Sequence, residues 1–288
     1  MTIKKLGRVL LCLFAVLLVL SALARVCLRY FGAEREQTGR LYVYVLSVGQ
    51  SDAVLLRCDG EAMLIDAGTA TERAAFFGAL RQLRVEQLPY LVITHPHEDH
   101  FGNARELLSK ITVENMLIAD TAGGEQGYEL LLSEAALCGT VPRVTSDGES
   151  FTLGGATVQV LRAGGIDKNE NNNSMILKVT YGKNSFLFMG DCEGGGEQSL
   201  VAQYGASLQA DVLKVGHHGS NTSTTEALLT AVKPRYAVIS CGTDNDFGFP
   251  HSEVLQNLAA IGATVLRTDL DGMITLVADG EEVIYDKK

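Results

Sequence analysis

The strongest constraint on this chain is the hexapeptide His95-Pro96-His97-Glu98-Asp99-His100, which places four potential metal ligands within six residues. It follows the apolar stretch 91–94, which is typical of a β-strand, and precedes Phe101-Gly102, where the chain can turn away. Neutral imidazole nitrogen and carboxylate oxygen are good donors to divalent ions, and this spacing can serve two neighbouring ions. The sequence therefore predicts a dinuclear metal site, with Glu98 facing solvent or supporting a ligand.

Short apolar segments bounded by turn residues recur along the chain, and a few longer segments have helical spacing. The 288 residues, 47% of them hydrophobic, can bury one large core. Two β-rich halves with helices predict a layered α/β sandwich. The predicted strands are 41–46, 53–56, 62–65, 90–94, 157–161, 174–181, 185–189, 211–215, 236–240, 273–277 and 282–285. The predicted helices are 71–83, 195–204, 224–231 and 252–260, with Thr71 and Ser252 as candidate caps.

Residues 1–30 are expected to lie outside the catalytic domain. Lys4, Lys5 and Arg8 precede the uncharged apolar stretch 9–24, a pattern typical of membrane entry. We expect an uncleaved signal-anchor; the alternative is a signal peptide cleaved near 22–24, which would make the protein secreted. Either places the domain 41–288, after a linker at 31–40, outside the cell membrane.

The charge of the chain is strongly asymmetric. The first thirty residues hold five basic and no acidic side chains, which leaves 19 basic against 34 acidic residues, a formal net charge of −15. Such a domain repels polyanions, because phosphate contacts supply most non-specific affinity for nucleic acid. The six cysteines show no CxxC spacing and are expected to be mainly buried thiols.

The hexapeptide is the HxHxDH signature of the metallo-β-lactamase superfamily, and its surroundings resemble the external hydrolase domain of ComEC-type competence proteins. The resemblance spans nearly all of 41–286 and implies a four-layered αββα sandwich. Besides the hexapeptide, the matching segments are 47–53, 64–68, 171–174, 188–191, 214–220 and 250–251. Within the first of these segments, residues 50–52 are expected to line the mouth of the site.

The resemblance also implies ligand roles. His95 and His97 would hold one ion, Asp99 and His100 the other, and Asp191 would bridge them. Asp191 follows one predicted strand and the His217-His218 pair follows another, and α/β sheets place functional groups at such strand ends. Since adjacent side chains do not easily point the same way, we expect His217 to bind metal and His218 to contact a substrate phosphate. Asp66 would orient the hexapeptide by hydrogen bonds.

Two departures from the family pattern affect the predicted catalytic groups. The superfamily usually has another metal-binding histidine between the hexapeptide and the bridging Asp, but this chain has Asn172 or Asn173 there instead. One of these amides could bind metal or contact a leaving oxygen; the alternative is that both are ordinary turn residues. Phe249 stands where a second histidine is usual near His251. We expect Asn173, His251 and the ligand Asp99 to take part in catalysis.

The predicted reaction is hydrolysis of a phosphoester, most simply a phosphodiester, by a metal-bound hydroxide outside the membrane. Zinc is the expected ion, with manganese and iron as alternatives. The substrate would be DNA during uptake, as the resemblance implies, or a teichoic-acid-like or choline-bearing envelope polymer. The alternatives are a lactam or thioester hydrolase and a non-catalytic metal-binding assembly factor.

Overall fold

The computed structural model describes residues 14–21, 36–121, 123–125, 127–165 and 167–287. Backbone contacts divide the chain into two units, Met1–Gln37 and Thr38–Lys288. Residues 14–21 of the first unit are helical. Among the described helices, none has the length and apolar character that a membrane crossing requires. Most of the predicted signal-anchor lies outside the described residues, so it stays a prediction.

Fifteen strands form two sheets in the described part of the second unit. The strands are β1 Leu41–Val45, β2 Val54–Cys58, β3 Glu61–Ile65, β4 Gln87–Ile93, β5 Thr112–Ile118, β6 Pro142–Val144, β7 Ser150–Leu153, β8 Ala156–Arg162, β9 Ile176–Tyr181, β10 Asn184–Phe188, β11 Val212–Lys214, β12 Tyr236–Ile239, β13 Thr264–Arg267, β14 Ile274–Ala278 and β15 Val283–Tyr285.

The two sheets share a plan in which an antiparallel part continues into a parallel part. The first sheet has the order β15-β14-β1-β2-β3-β4-β5-β6, and pairing is parallel from β3 to β6. The second has the order β13-β12-β11-β10-β9-β8-β7, and pairing is parallel from β10 to β13. Functional groups in α/β sheets gather beyond the carboxyl ends of parallel strands.

Helices cover the outer face of each sheet. They are α1 Arg73–Gln82, α2 Glu98–Phe101, α3 Ala104–Lys110, α4 Tyr128–Leu137, α5 Gly194–Tyr204, α6 Glu226–Val232, α7 Ser252–Ala260 and α8 Thr268–Asp271. Phe76 of α1 and Leu131 of α4 pack on the first sheet, whereas Leu200 of α5 and Leu258 of α7 pack on the second.

A third apolar cluster lies between the sheets, so the unit has four layers in the order αββα. Val43 and Val45 of β1 belong to this inner cluster, together with Phe186 of the second sheet. Tyr44, between them in sequence, belongs to the cluster under the helices. Successive strand residues point to opposite faces, so both faces of β1 are buried. The predicted α/β sandwich is confirmed.

The structure differs from the sequence prediction in some elements and caps. Strands β5, β6, β7 and β13 and helices α2, α3, α4 and α8 were not predicted. Thr69, not Thr71, caps the short 3-10 turn before α1, and its side chain accepts a hydrogen bond from the Thr71 amide. Ser252 is the first residue of α7, and His251 occupies the cap position without a side-chain cap bond.

Candidate metal centre

The predicted ligands converge at the carboxyl ends of parallel strands. The hexapeptide follows β4, and Asp66 follows the neighbouring strand β3. On the second sheet, Asp191 follows β10, and the pair His217-His218 follows the adjacent strand β11. Residues that follow strands of the first sheet contact residues that follow strands of the second, so ligands from both sheets meet at one site.

His95 and His97 form the first ligand position. His95 is fully buried and His97 is half-buried. The Nε2 atom of His95 lies 3.0 Å from Nδ1 of His97. Two ring nitrogens at this separation can donate to one ion, since metal–nitrogen bonds to zinc are about 2.0–2.1 Å long.

Asp99, His100 and His218 form the second ligand position. Nε2 of His218 lies 3.1 Å from Oδ2 of Asp99, and Nε2 of His100 lies 3.8 Å from the same oxygen. Asp191 adjoins both imidazoles, with Oδ1 3.3 Å from His100 and Oδ2 3.5 Å from His218. One donor atom from each of these four residues falls within 4.8 Å of the other three.

The donors of the second position fit a divalent ion. Nε2 of His100 and Oδ1 of Asp191 are buried and lie 3.3 Å apart without hydrogen-bond geometry, so neither atom has a hydrogen-bond partner among the described residues. Burying polar atoms without partners is costly, and coordination satisfies both at once. Mixed imidazole and carboxylate donors suit zinc, manganese or iron, so this centre is a candidate dinuclear site whose metal is open.

The carboxylates dominate the electrostatics of the site. Burial alone lowers the pKa of His100, but Asp191 and the other nearby carboxylates outweigh it and raise that pKa well above its usual value. The same balance raises the pKa of His218 to about 10. His95 differs, because burial and the neighbouring imidazoles hold its pKa well below normal. Protons and metal ions therefore compete for the same nitrogen atoms, and the competition is strongest at the second position.

Asp66 supports the site as expected of a residue that orients ligands. Its Oδ1 accepts a hydrogen bond from the Thr94 amide, and its Oδ2 accepts one from the Thr94 hydroxyl. Oδ2 also lies 2.8 Å from Nδ1 of His100. The far side of that imidazole is thereby turned toward Asp191.

The imidazole of His218 is likewise fixed through its Nδ1 atom, on the side of the ring away from the other ligands. Its Nδ1 donates to the Ser240 carbonyl at 3.0 Å and lies 3.5 Å from Oδ1 of Asp52. Asp52 in turn accepts a 2.7 Å hydrogen bond from Lys214, and both members of this ion pair are buried. Asp52 was expected at the mouth of the site, but it lies behind the ligands, and no role was predicted for Lys214.

The two adjacent histidines lie in different environments. Both have left-handed backbone angles, with φ of 48° for His217 and 52° for His218. His218 is buried among the second-position donors, whereas His217 is 22% exposed in its side chain and its Nε2 lies 3.9 Å from Asp191 Oδ2. Nδ1 of His217 lies 3.2 Å from Oε1 of Glu193. The geometry thus favours His218 as the ligand and His217 as the group open to substrate.

The predicted amides and His251 occupy distinct places around the centre. Asn173 accepts a hydrogen bond from the Asp167 amide and donates one to the Asp167 carbonyl, so its side chain fixes the backbone at Asp167. Asn172 accepts from the amides of Glu193 and Gly196. Nδ1 of His251 accepts from the Asn221 amide, and its ring packs on Phe249, with 5.1 Å between centroids.

Glu98, Glu170 and Glu193 lie around the ligand positions without joining either of them. The half-buried Glu98 accepts from the Thr69 hydroxyl and the Ala70 amide, which ties the hexapeptide to the start of α1. Glu170 lies 3.3 Å from Nε2 of His97. Glu170 and Glu193 were not predicted from sequence, because each is one acidic residue in a polar loop and carries no local signal.

A cleft of about 840 Å³ opens beside Asp99. Within the described part of the chain, its lining has no lysine or arginine but includes five carboxylate residues: Glu72, Glu98, Asp99, Glu125 and Asp269. Asp269 is paired with Arg267. Phe247 also lines the cleft, is 64% exposed, and stacks on Phe249 at a centroid distance of 5.3 Å.

Three comparisons relate this chain to known proteins. The chain is 35% identical to ComE operon protein 3 of Bacillus subtilis over 191 residues, which are 66% of the chain and 24% of that protein. It is 35% identical to competence protein ComA of Neisseria gonorrhoeae over 233 residues, 81% of the chain and 31% of that protein. The structure of the metallo-β-lactamase fold protein YhfI from Bacillus subtilis matches with a TM-score of 0.57 at 12% identity, covering 83% of this chain and 99% of that one.

The likeness to YhfI concerns the fold alone, whereas the two competence proteins are similar to this chain in sequence. The chain spans about a quarter to a third of the length of these curated relatives. Residues 46–243 match the family model of the metallo-beta-lactamase superfamily, and this range includes the hexapeptide, Asp191 and both adjacent histidines. The expected resemblance to ComEC-type proteins is confirmed, and the chain belongs to the metallo-beta-lactamase superfamily.

Proposed function

We propose that this chain hydrolyses a phosphoric ester, most simply a phosphodiester, at the paired ligand positions. The observation that carries the proposal is the placement of Asp191, whose two carboxylate oxygens face different imidazoles between the hexapeptide and the His217-His218 pair. Divalent ions bound there would lower the pKa of water and polarise the ester. Two-ion centres stabilise the attacking and leaving oxygens of phosphoryl displacement together.

The chain's own polar groups complete this proposal. His217 is partly exposed beside the second position and can donate to a phosphate oxygen. His251 is half-buried, and since its Nδ1 accepts from the Asn221 amide, its Nε2 carries the proton in the neutral ring and can deliver it to a leaving oxygen. Phe249 contacts both rings, with centroids 5.5 Å and 5.1 Å away, and fixes their spacing.

The substrate class has two candidates. The similarity to two competence proteins favours DNA. The cleft beside Asp99 favours a phosphodiester with a cationic substituent, because its lining is acidic and presents the exposed ring of Phe247, which can bind an ammonium group by a cation–π contact. A choline-type envelope phosphodiester meets this description. We place the domain outside the membrane on the basis of the sequence pattern at 1–30.

One set of assays tests the proposed reaction. Protein that begins at residue 31 is loaded with zinc, manganese or iron and offered bis-p-nitrophenyl phosphate, p-nitrophenylphosphorylcholine, single-stranded DNA and a chromogenic β-lactam. Asp191→Ala should abolish turnover, whereas Asp120→Asn, at an exposed aspartate, should not. Turnover of the lactam alone would refute the phosphoesterase proposal. Two bound ions without any turnover would point to a non-catalytic assembly role.

A further inference from the structure

Glu197 of α5 is a buried carboxylate that lies outside both ligand positions. Its exposed fraction is 0%, and no cationic side chain of the described residues offsets its charge. Burying a carboxylate without a cation is costly unless hydrogen bonds satisfy its oxygens. An apolar residue on the inner face of α5, such as Leu200, avoids this cost. Glu197 must therefore supply hydrogen bonds that an apolar side chain cannot make.

Both oxygens of Glu197 accept hydrogen bonds from backbone amides. Oε1 accepts from the Thr224 amide at 2.5 Å, and Oε2 accepts from the Thr225 amide at 2.8 Å. Thr224 is buried and has a φ of 61°, in the left-handed region that is unfavourable for a β-branched residue. The Gly194 amide, at the start of α5, also donates to the Thr222 carbonyl at 2.8 Å. Helix α5 thus holds this backbone at three points and keeps Thr224 in a strained conformation.

The backbone held by α5 is the end of a loop that begins with the two adjacent histidines. We call residues 216–225 the histidine loop. Inside it, Oγ of Ser223 donates to the Gly216 carbonyl at 2.8 Å, which ties the end of the loop to its beginning. Oγ1 of Thr222 lies 3.2 Å from Nδ1 of His217. A shift at the end of the loop is therefore transmitted to the ring of His217.

The histidine loop also determines the position of His251. The His251 amide donates to the Gly219 carbonyl, and Nδ1 of the His251 ring accepts from the Asn221 amide, both at 2.9 Å. Gly219 and Asn221 both belong to the loop. Because Nδ1 is an acceptor, the proton of the neutral ring is on Nε2, the atom that would protonate a leaving oxygen in the proposed reaction. Glu197 is thus linked to this proton donor through the backbone of the loop.

We propose that Glu197 is a positioning residue for the substrate-facing histidines. Its carboxylate fixes the end of the histidine loop, and the loop holds His251 at the leaving oxygen and His217 at the phosphate. Since these two roles assume a phosphoester substrate, the proposal rests on the proposed function. The ligand His218 is also in the loop, but its ring is held separately by the Ser240 carbonyl, so loss of the Glu197 carboxylate should leave the ions bound.

Two substrates separate protonation of the leaving group from a general loss of activity. The p-nitrophenolate that leaves bis-p-nitrophenyl phosphate needs little protonation, whereas the phenolate that leaves diphenyl phosphate is more basic and depends more on an acid. The ratio of kcat/KM for the two substrates does not change with the fraction of protein that is folded. A purely structural defect therefore lowers both values equally.

The test uses the full-length chain in detergent, loaded with zinc or manganese. Glu197→Gln keeps the volume nearly constant and replaces one acceptor oxygen by an NH₂ group, which cannot accept from an amide. Glu226→Gln is the matched control, because Glu226 is exposed at the first residue of α6, directly after the histidine loop. Circular dichroism verifies the fold, and mass spectrometry counts the bound ions. Glu197→Met serves if the glutamine variant does not fold.

Wild type and Glu226→Gln should have the same substrate ratio. Glu197→Gln should keep the wild-type number of ions and lose at least about tenfold more kcat/KM on diphenyl phosphate than on bis-p-nitrophenyl phosphate. His251→Ala should show the same selective loss. The double variant of Glu197 and His251 should show no further selectivity, because both substitutions act on one proton donor.

Equal losses on both substrates in Glu197→Gln would overturn this inference, and so would the loss of a metal ion. If His251→Ala still shows the selective loss in either case, the proposed function stands. If wild type hydrolyses neither phosphoester, the proposed function is refuted and hydrogen exchange decides the inference. Glu197→Gln should then accelerate amide exchange in 216–225 by about tenfold, whereas Glu226→Gln should not, and unchanged exchange in Glu197→Gln would overturn the positioning role as well.

Discussion

Nδ1 of His100 lies 2.8 Å from Oδ2 of Asp66, and both side chains are almost completely buried. Because the carboxylate also accepts from the backbone and hydroxyl of Thr94, its position is fixed by the strand end that leads into the hexapeptide. The imidazole must donate through Nδ1, so Nε2 is left to face Asp191. Asp66 thus determines which nitrogen of His100 can bind metal.

Replacing Asp66 by asparagine should weaken metal binding. The amide supplies one oxygen where the carboxylate uses two, so either Thr94 or His100 loses its partner, and we expect an affinity loss of about 10–100-fold at the second position. Chelator competition on the folded variant measures this loss. Asp120→Asn, at an exposed site, is the control. Unchanged affinity for both ions in Asp66→Asn would contradict the orienting role.

The two adjacent histidines should respond differently to alanine substitution. His218→Ala removes a buried donor next to Asp99 and Asp191, so the variant should retain one tightly bound ion. His217→Ala should retain two ions but hydrolyse substrate more slowly, since His217 is partly exposed and farther from Asp191. Metal analysis by mass spectrometry distinguishes them. The reverse pattern would restore His217 as the ligand.

The buried pair of Lys214 and Asp52 should be important for stability. Lys214→Met removes the cation that lies closest to the buried carboxylate of Asp52, and breaking a buried pair in this way costs about 3–5 kcal/mol of the free energy of unfolding. Urea unfolding of the metal-free proteins measures the change. The double variant Lys214→Met/Asp52→Leu should recover much of it, because no unpaired charge remains. Equal stability of the single variant and wild type would argue against a strong pair.

The loss in free energy of unfolding caused by Lys214→Met should also depend on pH. Burial alone raises the pKa of Asp52, but Lys214 and His218 outweigh it, so the pKa lies below its ordinary value of 3.8. Because the pKa of Asp52 is lower in the folded protein than in the unfolded chain, its ionised carboxylate stabilises the fold, and it does so fully above pH 3.8. This stabilisation is lost as the pH falls through the pKa that Asp52 has in the folded protein. The difference in stability between wild type and Lys214→Met should therefore be largest near neutral pH and smaller below pH 3.8, as urea titrations across this range would reveal.

Among the four described cysteines, only Cys138 should react readily with an alkylating reagent. Cys138 is exposed, whereas Cys58, Cys192 and Cys241 are buried. Burial raises the pKa of Cys58 to about 11 and those of Cys192 and Cys241 to about 12, so few thiolates are present at neutral pH. Peptide mapping after brief iodoacetamide treatment should find Cys138 modified more than about tenfold faster than the others. All four should react in urea, and rapid native labelling of Cys192 would contradict its burial.

The acidic cleft should discriminate among phosphodiesters by charge. Glu72→Gln removes one of its carboxylates, and Phe247→Ala removes its exposed ring. Both should raise KM for p-nitrophenylphosphorylcholine by about two- to tenfold, the range expected for one partly solvated charge or cation–π contact, and leave KM for bis-p-nitrophenyl phosphate nearly unchanged. Glu129→Gln, at an exposed position on α4, is the matched control. Equal effects on both substrates would refute a cationic preference.

The hexapeptide was recognisable from sequence because its ligands and the strand before it are contiguous. The inner strands were recognisable because both of their faces are apolar. Strand β5 was missed because Glu114 and Asn115 interrupt its apolar pattern on an exposed stretch. The three-residue strand β6 is too short for any period to be visible, and it begins with Pro142.

The finer arrangement of the site depends on contacts that no local pattern contains. Adjacent residues point apart in extended backbone, but His217 and His218 are left-handed, and this conformation decides which of the two lies closer to Asp191. Lys214 looks like a surface residue at the end of a strand, yet it is buried by its pairing with Asp52.

The second ligand position draws Asp99 and His100 from the first sheet and Asp191 and His218 from the second. An ion bound there is a cross-link between two layers whose shared interior is apolar. Binding to the folded chain alone adds about 2.7 kcal/mol of apparent stability at a free ion concentration of about 100 times Kd. Metal supply would then raise the resistance of the folded protein to proteolysis even in the absence of substrate.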